Sequence, residues 1–558
     1  MKREKGIFYL MILMLIGFFS SFQFADAQSS IYNAHGWQLL DYRTDSVLGA
    51  GINRAYAQLL KGKIPHPVIV AVIDMGVDTA HEDLTGHIWT NSKEIPGNGI
   101  DDDHNGYVDD IHGWNFLGGK NGKNIIVESY ESYREYYRLS QDSDWMDNGD
   151  ISAKKNYRDK VKKFFLRDSL QQVQAVFWLT QMIPQMKSAD SILKINLQKD
   201  SIFVRDVVEY QPKDSVFILV KKNALMYFNK YGITPDMSLG RFIDEAEKYL
   251  QSARIKLTDF SGDPNARRKE IIGDDYNNIS DRNYGNNNVS AGYPSHGTHV
   301  AGIIAASRGN GKGMDGIDEH VLIMAIRAVP DGDERDKDIA LSIRYAVDNG
   351  ARLINMSFGK YFSPGKKWVD DAIRYAADHD VLIVHAAGNE SRNIDSIQHY
   401  PEPEYDDGTR NSCCFITVGA NAGGPDSLAL ARFSNYGKKE VDLFAPGVKI
   451  YSTVPGNQYA TYSGTSMAAP MVTGVAALLL EYYPQLSARQ LKSIILRSVM
   501  RLPRKEVKWA PTGSIMDFSQ LSVTGGIINA YDALRLAATV KGERKNPKKI
   551  VVRGISRG

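Results

Sequence analysis

The chain has 558 residues, 43% of them hydrophobic and 24% charged, with a formal net charge of +2. That length buries one large core and leaves material for a second module. So nearly balanced a charge excludes the electrostatic footprint of a nucleic-acid binder.

Lys2, Arg3 and Lys5 precede an apolar stretch from Ile7 to Phe19, and Ala25-Asp26-Ala27 follows. A basic end, a short apolar run and an A-x-A site predict a secretory signal peptide over residues 1–27, with an uncleaved anchor as the alternative. No cysteine follows the run, so lipid attachment there is excluded. No comparable run comes later, so the mature protein is expected off the membrane, either secreted or in the periplasm or cell envelope. Its two cysteines, Cys413 and Cys414, are neighbours and badly placed for a mutual disulfide, which needs facing β-carbons.

Residues 28–66 form a short leader with helical character from Ile52 to Leu60. Val68 to Ile73 is an unbroken apolar run, the mark of a strand buried on both faces. Between about Gly119 and Tyr284 the composition turns rich in Lys, Asp, Glu and Tyr. Here Leu166, Leu170, Val173 and Phe177 recur at helical spacing, and Pro184 is expected to end that helix. Ser201 to Val220 alternates like strands. Ser238 is placed as an N-cap, ahead of Leu239, Phe242, Ile243, Ala246 and Leu250 as an inward face. Residues 120–284 therefore read as an inserted, mostly helical subdomain within a domain spanning 67–540.

Beyond the insert the pattern alternates again. Val321 to Val329, Leu353 to Ser357, Val381 to Ala386 and Phe415 to Gly419 read as strands, and Ile339 to Val347 and Val369 to Ala377 as helices. Strands alternating with helices predict an α/β fold with a doubly wound, mainly parallel sheet. The last segment, 541–558, is basic and is expected to be a solvated tail.

Four signatures stand on this scaffold. Asp74 ends a buried strand in V-I-V-A-V-I-D-M-G-V-D, where an acid is either catalytic or a structural cap. His296 opens H-G-T-H-V-A-G at the start of a helix, a setting that favours the neutral, proton-accepting ring. His299 lies three residues on, but no glutamate accompanies the pair as in a zinc motif. Ser466 lies in S-G-T-S-M-A-A-P before an apolar helix, either as a cap or as a nucleophile facing the helix amides. Asn389 ends H-A-A-G-N after another strand, either as a turn residue or as an oxyanion donor.

Taken in order, with their surrounding words D-x-G-V-D, H-G-T-H-V-A-G and G-T-S-M-A-A-P, these residues resemble the subtilisin family. The resemblance covers Val68 to about Asn115 and about Asn288 to Leu536. It implies a serine endopeptidase with Asp74, His296 and Ser466 as triad, Asn389 at the oxyanion hole, and protein or peptide substrates. It also implies a substrate-binding edge at Ser357, Phe358 and Gly359. By the same resemblance Ala386, Ala387 and Gly388 are expected to line the facing wall of a pocket with room for a bulky apolar side chain. All four catalytic positions are filled, which argues against an inactive peptide-binding relative.

Asp101, Asp103, Asn105 and Gly106 give D-x-D-x-N-G, the first half of an EF-hand-type loop. Calcium is expected there, with Asp109 or Asp110 closing the site; an acidic turn is the alternative. Asp83 and Asn310 resemble positions of the family's own calcium site. No organic cofactor is expected, and the chain is expected to be a monomer. Two features depart from the family pattern. Only Gln28 to His66 is available where a folding propeptide is usual, and 222 residues separate Asp74 from His296.

Overall fold

The computed structural model describes residues 35–142, 150–231, 237–424, 426–503, 505–509 and 512–544. The predicted signal peptide lies outside them. The strands are β1 (Val68–Asp74), β2 (Gly113–Asn115), β3 (Val321–Arg327), β4 (Leu353–Met356), β5 (Leu382–Ala386), β6 (Phe415–Asn421), β7 (Leu443–Pro446), β8 (Ile450–Val454), β9 (Gln458–Tyr462), β10 (Glu506–Lys508) and β11 (Ile515–Asp517). The main helices are α1 (Glu131–Gln141), α2 (Ile151–Leu197), α3 (Val204–Glu209), α4 (Ser215–Tyr231), α5 (Leu239–Asp259), α6 (Ala266–Ile271), α7 (Ser295–Ala305), α8 (Asp336–Asp348), α9 (Lys366–Asp378), α10 (Thr465–Tyr482), α11 (Ala488–Arg497) and α12 (Ala530–Ala537).

β1 is buried along its whole length, and parity sorts its side chains. Val68, Val70 and Val72 join a core with Val300, Ile303 and Ile304 of α7 and the apolar residues of α10. Ile69, Ala71 and Ile73 join a second core with Ile339 and Ile343 of α8 and Val369 and Ile373 of α9. Seven strands form a parallel sheet in the order β2-β3-β1-β4-β5-β6-β7. After β1 the chain builds β2 and β3 on one side and then β4 on the other. The strand order therefore reverses at β1, and a crevice opens at the carboxyl ends of β1 and β4. α10 is long and apolar enough to cross a membrane, but 89% of that stretch is buried, as the core helix of this sheet.

The predicted doubly wound fold is thus observed, with small shifts in element ends. The edge strand β2, the antiparallel hairpin β8–β9 and helix α1 had no periodic signal strong enough to expose them. The leader is part of the domain: Trp37, Leu39, Leu48 and Ile52 lie in the first core, and the Ala530 amide donates to the Ala50 carbonyl. The beginning of the basic tail is docked as well. Gln490 donates to the Lys541 carbonyl, and Arg489 pairs with Glu543. Its residues from 545 lie outside the described ones.

The insert is helical, but three expectations fail. α2 runs through Pro184. Met182, Ile183 and Met186 around the proline pack on Phe228 of α4 and Phe242 and Ile243 of α5, and that packing outweighs one missing backbone bond. Leu166, Leu170, Val173 and Phe177 face solvent, each more than half exposed. The buried positions beside them are polar. Asp168 accepts from the Ser132 hydroxyl at 2.6 Å, and Gln172 donates to the Tyr130 hydroxyl at 3.0 Å. Ser201 to Val220 forms α3 and part of α4 instead of strands. α5 agrees with expectation, with Ser238 Oγ accepting from the Arg241 amide at 3.2 Å and Leu239, Phe242, Ile243 and Ala246 buried.

Both ends of the insert are rooted in the sheet domain by buried charge. Arg268 of α6 forks between Asp274 and Asp338 of α8, and Lys337 also reaches Asp274. At the other end Glu131 binds Arg134 and Lys360, and Arg335 binds Glu128. Removing one partner from such a network strands a charge in low dielectric. Arg268→Met should accordingly lower the unfolding free energy by about 3–5 kcal/mol, measured by urea denaturation. A loss below 1 kcal/mol would show that the network is not holding the insert.

Candidate active site

Asp74 is the last residue of β1, and His296 the second residue of α7. Their approach depends on Gly297. A β-carbon there would stand 2.1 Å from the Gly76 carbonyl oxygen, so only glycine lets α7 lie against the end of β1. His296 Nδ1 sits 2.8 Å from Asp74 Oδ1, which also accepts from the Met75 amide. Burial disfavours the imidazolium, yet the charge of Asp74 and its hydrogen bond together raise the pKa of His296 above its ordinary value. The helix-terminus effect expected from the sequence is therefore outweighed by the adjacent carboxylate. His299 has a different task. Its Nε2 lies 3.1 Å from the carbonyls of both Ile450 and Ala460, and burial lowers its pKa to about 3. It pins the β8–β9 hairpin to α7 as a neutral ring.

Ser466 is the second residue of α10. Its hydroxyl donates to the Ser357 carbonyl at 3.1 Å, and Ser357 Oγ donates back to the Ser466 carbonyl at 2.9 Å. Pro470 makes the second bond available. Lacking an N–H, it leaves the Ser466 carbonyl without its helical partner. Thr473 Oγ1 donates to Asn355 Oδ1, and Asn355 Nδ2 donates to Ser357 Oγ, which secures the end of β4 against α10.

Asn389 follows β5 by three residues. Its Oδ1 accepts from the Thr465 amide at 2.9 Å and the Thr465 hydroxyl at 3.0 Å. Because an amide N–H can only donate, these bonds fix the orientation of the side chain. Nδ2 is left to face the cleft. A β-carbon on Gly464 would stand 3.6 Å from both Asn389 Nδ2 and the Ser466 amide nitrogen. The Asn389 amide and the Ser466 N–H thus both lie beside Gly464 at the start of α10.

Asp74, His296, Ser357, Phe358, Gly359, Ala386, Gly388, Asn389 and Ser466 line one cleft of about 330 Å³. Ala387 is fully buried behind it. Four titratable residues that the sequence did not single out share the cleft: Asp331, Glu334, Glu390 and His399. His399 changes the expected pocket. β-carbons on Gly359 and Gly388, one from each wall, would lie within 2.3–2.9 Å of its ring. The ring therefore fills the space that the small walls leave, and burial lowers its pKa despite Glu390. A buried imidazole thus stands between the two walls, where the small residues suggested room for a bulky apolar side chain. Only its proximity in space, across a loop ten residues long from Asn389, reveals it.

The acidic loop also differs from expectation. The carboxylates that gather within 4.8 Å are Glu94, Asp101 and Asp103. Asp109 accepts instead from the amides of Gly97 and Gly99. Asp110 accepts from Asn91, Asn105 and Tyr345, and burial raises its pKa to about 6. Asn105 spends its amide on Asp110 and on a turn with Tyr107. Asp83 and Asn310 meet directly, Nδ2 donating to Oδ1 at 2.6 Å, while Asp83 Oδ2 is buried without a hydrogen-bond partner.

Residues 66–512 match the family model described as "Peptidase_S8: Subtilase family". The chain belongs to the subtilase family. It is 34% identical to the "Thermophilic serine proteinase" of Bacillus sp. (strain AK1) over 303 residues, 53% of this chain and 69% of the relative. Against "Subtilisin DY" of Bacillus licheniformis the identity is 38% over 36% of this chain and 68% of the relative. Against "Thermitase" of Thermoactinomyces vulgaris it is 33% over 43% and 75%. This subtilase is a serine-type endopeptidase, and its substrates are proteins or peptides.

The raised His296 pKa has a direct spectroscopic consequence. In the Ser466→Ala protein, NMR titration should find the His296 ring protonating above pH 6.5, because Asp74 stabilises the cation. Asp74→Asn should move that midpoint down. A midpoint indifferent to Asp74 would show that the carboxylate does not set it.

Proposed function

We propose that this subtilase cleaves peptide bonds through Asp74, His296 and Ser466. The observation that carries the reading is the 2.8 Å bond between Asp74 and His296, at the edge of the same cleft as Ser466 and the two donors beside Gly464. Rotation about χ1 turns the Ser466 hydroxyl from the Ser357 carbonyl toward His296 Nε2. The oxygen attacks the scissile carbonyl carbon while His296 takes the proton, and Asn389 Nδ2 and the Ser466 amide hold the oxyanion. As the carbon–nitrogen bond breaks, His296 returns the proton to the leaving amine. Water then repeats the sequence on the acyl-enzyme. Asp74 holds the ring in the tautomer with its proton on Nδ1 and stabilises the imidazolium.

Ser466→Ala should lose about 10⁶-fold in kcat and Asn389→Ala about 10²–10³-fold, both scales coming from subtilisin itself. The measurement is hydrolysis of a chromogenic peptide, with far-UV circular dichroism checking the fold. An Asn389→Ala enzyme of unchanged rate would remove that side chain from the oxyanion hole.

With His399 between its walls, the pocket suits a small or hydrogen-bonding side chain next to the scissile bond. His399→Gly should raise kcat/KM for phenylalanine at that position about 10-fold relative to alanine, the scale of a modest change in apolar pocket volume. An unchanged ratio across a peptide series would free His399 of that role.

The gathered carboxylates of Glu94, Asp101 and Asp103 suit a calcium ion, which takes oxygen ligands. Bound there, calcium would tie the loop after Asn91 to the turn before β2. At a hundredfold excess over its Kd it should stabilise the fold by about 2.7 kcal/mol, read as a higher melting temperature in calcium than in chelator. A shift that survives Asp101→Asn with Asp103→Asn would place the ion elsewhere. Export is supported by the basic, apolar and A-x-A segments of residues 1–27.

A further inference from the structure

A second cluster of metal-ligating side chains lies at the opposite end of the molecule. Asp318 and His320 occupy the turn that enters β3 at its amino end, and Glu481 is the penultimate residue of α10. One ligand atom from each lies within 4.8 Å of the others. Fifteen residues of α10 separate Glu481 from Ser466, about 22 Å along a helix, so the cluster is remote from the cleft.

Its electrostatics call for a cation. Asp318 and Glu481 are both fully buried. Asp318 Oδ2 and Glu481 Oε2 are buried without a hydrogen-bond partner. Among the described residues neither carboxylate is paired with a lysine or arginine. The one basic group beside them is His320, whose Nδ1 lies 2.6 Å from Glu481 Oε1. Two carboxylates so placed repel each other, and a single imidazole is little compensation for the water they have given up. Burial pushes both carboxyls above their ordinary range, and the charge of Glu481 raises Asp318 further.

The donor set and its setting are those of a metal site. A neutral imidazole and two carboxylates exactly balance a divalent ion, and a nitrogen ligand among oxygens selects zinc-like ions over calcium or magnesium. The Asp318 side chain is oriented from behind, its Oδ1 accepting from the His320 amide at 2.9 Å. The His320 side chain is 35% exposed, which provides an entry path and a free side for a water ligand. Ligands 2.0–2.2 Å from zinc stand roughly 3.4 Å apart, so His320 and Glu481 need to part by less than 1 Å.

We propose that Asp318, His320 and Glu481 form a structural binding site for a divalent transition-metal ion of the zinc class. The ion links the entry to β3 with the end of α10. It also reaches the N-terminal segment, since the His66 amide donates to the Glu481 carbonyl and the Tyr56 hydroxyl to the Ile317 carbonyl. It fixes the base of the sheet while the catalytic groups work at the opposite edge.

The test uses the full chain carrying Ser466→Ala to prevent self-digestion. The protein is stripped with chelator, incubated with zinc chloride in excess calcium, passed through gel filtration and assayed by elemental mass spectrometry. One equivalent of zinc should be retained, and the melting temperature should rise by about 4 °C over the stripped protein. His320→Ala should abolish both effects. Glu481→Gln, which keeps the shape and removes the repulsion, should fold at least as stably as the stripped parent and also lose zinc. Calcium-dependent stabilisation should be unchanged in both variants. No zinc retained by the parent protein, or equal zinc in the parent and either variant, would overturn the site and leave the cluster as a histidine ion pair with a proton shared between its acids.

Discussion

Every catalytic distance in this subtilase follows from the pairing of β1 with β3 on one side and β4 on the other. Because parallel strands all end at the same edge, Asp74 and Ser357 come to lie across one crevice. α7 and α10 then deliver His296 and Ser466 to it from the same face of the sheet. The helices approach this closely only because glycine stands at 297 and proline at 470. One removes a clash with the Gly76 carbonyl, and the other frees the Ser466 carbonyl to accept from Ser357. The triad is thus set at the ends of a strand and two helices.

The insert meets this frame through charge as well as apolar contact. Its own core is small and lies between α2, α4 and α5. Its two roots carry Glu131, Arg134 and Arg268, all nearly inaccessible to solvent. Buried ion pairs contribute little net stability compared with apolar packing but are costly to break. They therefore specify where the insert sits. One further tie reaches the cleft itself: Lys256 of α5 bonds Asp331 at 2.6 Å, and Asp331 lines the substrate cleft. This ion pair ties α5 of the insert to one wall of the cleft.

The sheet was legible because strands buried on both faces leave unbroken apolar runs, as at Val68 to Ile73. The short edge strand β2, with three residues, leaves no such run. The insert misled because periodicity reports amphipathicity without saying which face is covered. Between Leu166 and Phe177 the apolar stripe of α2 points to solvent, and the buried face there carries Asp168 and Gln172 with their hydroxyl partners. Likewise Pro184 removes one backbone bond, a local cost that packing of both flanking turns exceeds.

By itself the sequence determined the fold class and the residue types of the site, because each signature marks a strand end or helix start whose local chemistry is written in consecutive residues. It also located the acidic loop, although not the carboxylate of Glu94 that completes the cluster. The tertiary structure alone decided what lies between segments distant in the chain. It put His399 between the walls of the pocket and brought Asp318 and His320 to Glu481. It also oriented the Asn389 amide through Thr465. Such contacts arise from packing whole elements together, and no periodicity or spacing along a single segment encodes them.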